Sequence, residues 1–206
     1  SDFGLSGTLT ITRLDINNAA PGYTRLNWTR AFDLNGDGTQ DTLNPSGTLA
    51  LDLPGSLQFA LAGSISGTGS NVGDGGTLSD VLVKAGPVSV GGAAAFSLTR
   101  QSVDVDTDGN GTTDLPSATL DAVSLTITAP ATVEVIGVAK VTLTGALALA
   151  RVTAAGESTA RYSVLKMGNV SVTPGTTSGT NFGLSGTLTI SRLDINNAAA
   201  GHTRLN

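Results

Sequence analysis

The chain has 206 residues with 39% hydrophobic content, enough to bury a core, yet Gly, Pro, Thr and Ser fill about two-fifths of it and aromatics only 4%. That mixture disfavours helices, in which Thr, Ser, Val and Gly rank poorly, and suits many short strands joined by tight turns. Zero cysteines exclude disulfides, thiolate metal sites and cysteine nucleophiles, and a net charge of −5 with 11 thinly spread basic residues excludes a grip on nucleic acid.

Alternation of apolar and small polar residues runs along the chain. Leu5, Leu9 and Ile11 share one face while Thr8, Thr10 and Thr12 take the other; the phase slips near Arg13, so that Leu14 and Ile16 continue the apolar face, which predicts a bulge. Leu49, Leu51 and Leu53 predict a strand stopped by Pro54-Gly55, and Leu57, Phe59, Leu61 and Ile65 another that closes at Gly67. Paired apolar positions then follow at Val81/Val83, Val88/Val90, Phe96/Leu98, Val103/Val105, Val123/Leu125/Ile127 and Val133/Val135. The same pattern continues at Val141/Leu143, Leu147/Leu149, Val164 and Val170/Val172, about a dozen strands in all. The most apolar stretch, 131–150, is interrupted by Glu134 and Lys140 and falls short of the roughly 18 apolar residues of a membrane span. Turn chemistry marks breaks at 71–76, Gly91-Gly92, Ala129-Pro130 and 174–180. These signals predict an all-β chain: an elongated β-solenoid-like or stacked-sheet repeat unit, with tandem immunoglobulin-like β-sandwiches as the alternative.

One block occurs twice. Residues 3–27 read FGLSGTLTITRLDINNAAPGYTRLN and residues 182–206 read FGLSGTLTISRLDINNAAAGHTRLN; only Thr12/Ser191, Pro21/Ala200 and Tyr23/His202 differ. The offset of 179 residues predicts one complete unit at 1–179, with two β subdomains meeting near 86–92, and the start of the next unit at 180–206. In such arrays each unit contacts mainly its neighbours, so length becomes a free variable. A residue performing obligatory chemistry in every unit should not change between copies, and the one histidine, His202, is Tyr23 in the other.

Two loops have the oxygen-rich spacing of a hard-cation site. Asp33, Asn35, Asp37, Thr39 and Asp41 stand at positions 1, 3, 5, 7 and 9 of the first; Asp106, Asp108, Asn110, Thr112 and Asp114 stand at the same positions of the second, 73 residues later. Ca²⁺ takes six to eight oxygens at about 2.3–2.6 Å, and alternating ligands let a tight loop fold three side chains around one point. Gly38 and Gly111 at position 6 permit the turn, the Thr39 and Thr112 carbonyls supply position 7, and Asp41 and Asp114 close the shell. The competing reading is that Asp, Asn and Gly cluster because they turn well; two matching loops favour calcium.

These loops resemble the DxDxDGxxD calcium loops of thrombospondin type 3 repeats, dockerins and many bacterial surface proteins. With the 179-residue repeat and the Thr/Gly/Val texture, the chain resembles giant tandem-repeat bacterial extracellular proteins of the adhesin type. The resemblance implies secretion to the cell surface, neighbouring repeats as partners, and self-assembly into a fibre. No GxSxG elbow, HExxH or phosphate-binding Gly-Lys-Ser/Thr loop is present. The expected function is therefore a calcium-stabilised structural repeat of a filament, stalk or adhesin, not an enzyme. The alternatives are a module that binds surface glycans or cells, and a β-helical polysaccharide-active enzyme using Glu134 and Glu157. Those two glutamates are expected to be solvated.

Overall fold

The computed structural model of the chain describes residues 3–176 and 186–205. The strands are β1 (Phe3–Leu5), β2 (Gly7–Ile16), β3 (Leu57–Gly67), β4 (Val81–Ala85), β5 (Val88–Val105), β6 (Leu115–Val135), β7 (Ala139–Thr153), β8 (Tyr162–Gly175) and β9 (Leu188–Ala198), with one short 3₁₀ turn at Val72–Asp74. The chain is all-β, and every pairing is antiparallel within a single nine-stranded sheet. The all-β expectation is met, as one large open antiparallel sheet that is not closed into a barrel. Because β3 and β4 pair different stretches of β5, and β1 and β2 line up outside them, the sheet is seven positions wide from β1/β2 to β9. No helix among the described residues is long and apolar enough to cross a membrane.

Register explains the composition. Residues directly opposite one another in an antiparallel ladder point to the same face. One such row runs across the whole sheet as Leu14, Leu61, Leu98, Val123, Leu149, Leu165 and Ile195. The next runs Phe96, Leu125, Leu147, Met167 and Leu193. Between them, on the opposite face, lie Ala62, Ser97, Ser124, Ala148, Lys166 and Asp194. One face is thus aliphatic and the other small and polar, as period-2 alternation requires. No second layer covers the aliphatic face among the described residues, and Val123, Leu125, Leu149, Leu193 and Ile195 remain partly open to solvent. Among the described residues a compact cluster forms at one end, where Ala118, Val152 and Tyr162 gather Val103, Leu115, Leu120, Ala198 and Leu205.

The predicted slip near Arg13 is a register shift between Ile11 and Arg13 against β3. Other breaks behave differently from expectation. Gly91-Gly92 and Ala129-Pro130 lie inside β5 and β6, where they kink the strands without ending them. The shifts at Gly91/Ala93, Thr126/Ala131 and Thr144/Ala146 line up on neighbouring strands, so a crease crosses the sheet. Phe96/Leu98 and Val103/Val105, two strands by pattern, are one 18-residue strand. Leu49–Leu53 form no strand: the connection 17–56 carries only isolated bridges, Phe32 with Asp41 and Leu43 with Leu51. The 174–180 boundary passes out of the described residues after Thr176.

Glycine is required along the crease. Gly92 has φ +117°, and a Cβ there would lie 2.6 Å from the Pro130 carbonyl oxygen; Gly145 has φ +128°, with its Cβ 2.7 Å from the Val170 Cα. Both contacts are with backbone that cannot swing aside. Gly145→Ala should therefore cost about 1–3 kcal/mol, read as a lower midpoint in thermal unfolding, and an unchanged midpoint would remove the crease from the account.

Candidate metal loop and buried carboxylate

Both acidic loops sit at the same end of the sheet, the first in the β2–β3 connection and the second at the tip of the β5–β6 hairpin. They fold alike. Asp33 accepts backbone N–H bonds from Gly36 (2.7 Å), Asp37 (3.2 Å) and Gly38 (2.9 Å); Asp106 accepts them from Gly109 (2.8 Å), Asp108 (3.2 Å) and Gly111 (2.6 Å). Asp41 accepts from the Leu34 N–H and Asp114 from the Thr107 N–H, each at 2.8 Å. The loops close through the Asp41 N–H on the Phe32 carbonyl (2.6 Å) and the Asp114 N–H on the Val105 carbonyl (2.9 Å). The Gly38 and Gly111 N–H bonds are the main reason that the Asp33 and Asp106 carboxyls lie below the usual carboxylate range; for Asp37 it is the Thr39 hydroxyl, then the Thr39 N–H.

The loops differ at two ligand positions, 3 and 5, where Asn and Asp are exchanged. The oxygens of Asp106, Asp108 and Asp114 all lie within 4.8 Å of one another, a group that could hold a metal ion. Asp33, Asp37 and Asp41 form no such group; here the amide stands at the third position, where Asn35 donates to Asp37 at 3.1 Å. In the second loop the amide moves to the fifth position, where Asn110 donates to Asp108 at 3.0 Å and its oxygen accepts from the Thr112 N–H at 2.8 Å. Thr39 donates its N–H to Asp37 at 2.8 Å. Three carboxylates on a turn form a hard, all-oxygen donor set, and each ionised carboxylate has lone pairs beyond those spent on N–H bonds. The fit is thus to a hard cation at Asp106, Asp108 and Asp114.

A second acidic residue departs from expectation. Glu134 was expected in solvent and is instead fully buried at the opposite end of the sheet. Its carboxylate accepts the Asn71 amide (2.7 Å), the Thr77 N–H (3.0 Å) and the Thr77 hydroxyl (2.8 Å). Asn71, itself buried, accepts the Leu78 N–H (2.8 Å) through its other amide atom. The glutamate therefore staples the 68–80 connection onto the polar face of the sheet. Burial raises its pKa, but the Thr77 N–H, the Asn71 amide and the Thr77 hydroxyl together outweigh it and hold the carboxyl below its usual range. Glycine-rich spacing pointed to a turn at 71–76 but gave no sign of this anchor, since the partners are 57 and 63 residues apart in sequence. Glu157 lies on the β7–β8 connection, paired with Arg161. Arg13 pairs with Asp15 and Arg192 with Asp194, each pair within a single strand.

Among known proteins, no family model matches the chain, and no curated protein or solved structure matches it.

Two outcomes follow from these geometries. A depressed folded pKa means that Glu134 stabilises the fold fully above its unfolded value of about 4.3, and that this contribution fades as pH falls through the folded value. Glu134→Gln should therefore flatten the acid limb of a stability–pH profile, and an unaltered acid limb would contradict the staple. Asp108→Asn should weaken divalent-cation binding by about tenfold or more, whereas Asp37→Asn should leave it unchanged; calorimetric titration with Ca²⁺ and Mg²⁺ separates these results from equal losses.

Proposed function

We propose that the chain is a structural repeat of a long extracellular filament, stalk or surface adhesin, braced by Ca²⁺, whose partners are neighbouring units of the same kind. The observation that carries this reading is that one stretch of the duplicated block, 17–26 and its counterpart 196–205, makes the same contacts in both copies. Asn17 donates its side-chain amide to the Leu26 carbonyl at 2.9 Å, and Asn196 donates to the Leu205 carbonyl at 2.9 Å. The Tyr23 N–H on the Ala20 carbonyl and the His202 N–H on the Ala199 carbonyl are both 3.1 Å. Gly22 and Gly201 share φ +86°. A stretch that keeps these contacts under two substitutions, Pro21/Ala200 and Tyr23/His202, and in two surroundings is suited to be a modular building element.

Three further features support the reading. An open sheet with an aliphatic face is suited to contact another unit. A hard cation at Asp106, Asp108 and Asp114 would relieve the repulsion of three clustered carboxylates and stiffen the hairpin tip between the two longest strands. Glu134 and Glu157 lie at opposite ends of the sheet, each spent on local partners, which favours a structural role over acid–base chemistry.

Chelation of divalent ions should lower the melting temperature of the chain, and Asp106→Ala should abolish that difference. Electron micrographs of the native assembly should show fibres with a period set by the unit. Discrete particles together with chelation-insensitive melting would remove the reading.

A further inference from the structure

The stretches 17–26 and 196–205 share their turn contacts, and yet the strands that lead into them use opposite edges. In the first copy the Asn17 N–H donates to the Gln58 carbonyl at 3.0 Å, so that edge faces β3. In the second copy the Ala199 N–H donates to the Arg161 carbonyl at 2.7 Å, at the start of β8. Ala199 corresponds to Ala20, three residues after Asn17. N–H groups an odd number of residues apart on an extended strand point to opposite edges. Thus β2 pairs with β3 and has no strand on its other edge among the described residues, while β9 pairs with β8 through that other edge.

Side chains divide the same way. In the first copy Asn17 also reaches the Pro54 carbonyl (3.1 Å) and receives the Trp28 indole N–H (3.2 Å), and Arg25 donates to the Gly55 carbonyl and the Ser102 hydroxyl. In the second copy Leu205 and Ala198 pack against the Ala118, Val152 and Tyr162 cluster, and His202 meets the Tyr162 ring edge-on. The first-copy counterparts of Leu205 and His202, Leu26 and Tyr23, are 45% and 79% exposed. Asp194 lies opposite Lys166 on β8, whereas Asp15, its counterpart, has only Ala60 opposite. Among the described residues, each copy lacks the partners outside the block that the other holds, and the two partner sets occupy different sides of the strand.

We infer that the block is a shared junction strand, inserted between β8 of one unit and β3 of the next, so that consecutive units form one uninterrupted sheet. The occupant of the open β2 edge is accordingly the β8 edge and Tyr162 surface of a second copy of this unit. This rests on the filament reading and goes beyond it, because a filament could equally be beads on linkers. An edge with free N–H and C=O groups is a template for pairing, and here the sequence that matches it is already in the chain.

The test is a two-unit chain in which residues 28–206 follow Asn206 directly, so that the middle block closes one unit and opens the next. Amide exchange at that block should be slowed by about a hundredfold or more at both Asn196 and Ala199, the positions facing opposite edges, and the chain should melt in one transition. Slow exchange at only one of the two positions, separate melts of the halves, or failure of the halves to fold together would overturn the shared strand. A beaded fibre in micrographs would accompany the first two results with the filament reading still standing; the absence of fibres would remove both.

Discussion

An extended strand has two edges, and every backbone N–H and C=O on each needs a partner. The molecule is organised around that requirement. Seven positions of antiparallel ladder satisfy it internally from β2 to β9. The two outermost places are taken by the same sequence, and among the described residues each copy is paired on one side only. Small and β-branched side chains, tight hairpins and continuous register all serve the ladder, which is why so little aromatic surface or compact core is present. Where a lone polar group is buried, as at Asn17 or Glu134, it fastens a long connection back onto the sheet.

The division of labour along the strands follows from the same geometry. The end that carries both acidic loops also carries the Tyr162 cluster, so a cation at Asp106, Asp108 and Asp114 would stiffen that end of the sheet. The opposite end is closed by the Glu134 staple. Between them the crease at Gly92, Pro130 and Gly145 lets long strands bend without breaking the ladder.

Much of this was legible in the residues. Alternation specified the strands and the slip at Arg13, because a period-2 pattern cannot change phase without an extra residue. The repeat was plain by inspection. The misreadings share a cause: Gly91-Gly92 and Ala129-Pro130 carry turn chemistry, but turn formers inside a strand make bulges when both neighbouring strands continue, and only tertiary pairing decides between the two. Leu49, Leu51 and Leu53 alternate like a strand yet have no ladder to join. The two loops matched in spacing, but exchanging Asn and Asp between positions 3 and 5 gathers three carboxylates in one and not in the other. Glu134 was hidden because its partners are distant in sequence.

The central claim is that one sequence pairs through opposite edges in its two copies, and residue-resolved amide exchange of the 206-residue chain tests it most directly. Slow exchange is expected at Asn17 with fast exchange at Ala20, and the reverse at their counterparts, fast at Asn196 and slow at Ala199. The same pattern in both copies would mean that both use one edge, and the account of the junction would be wrong.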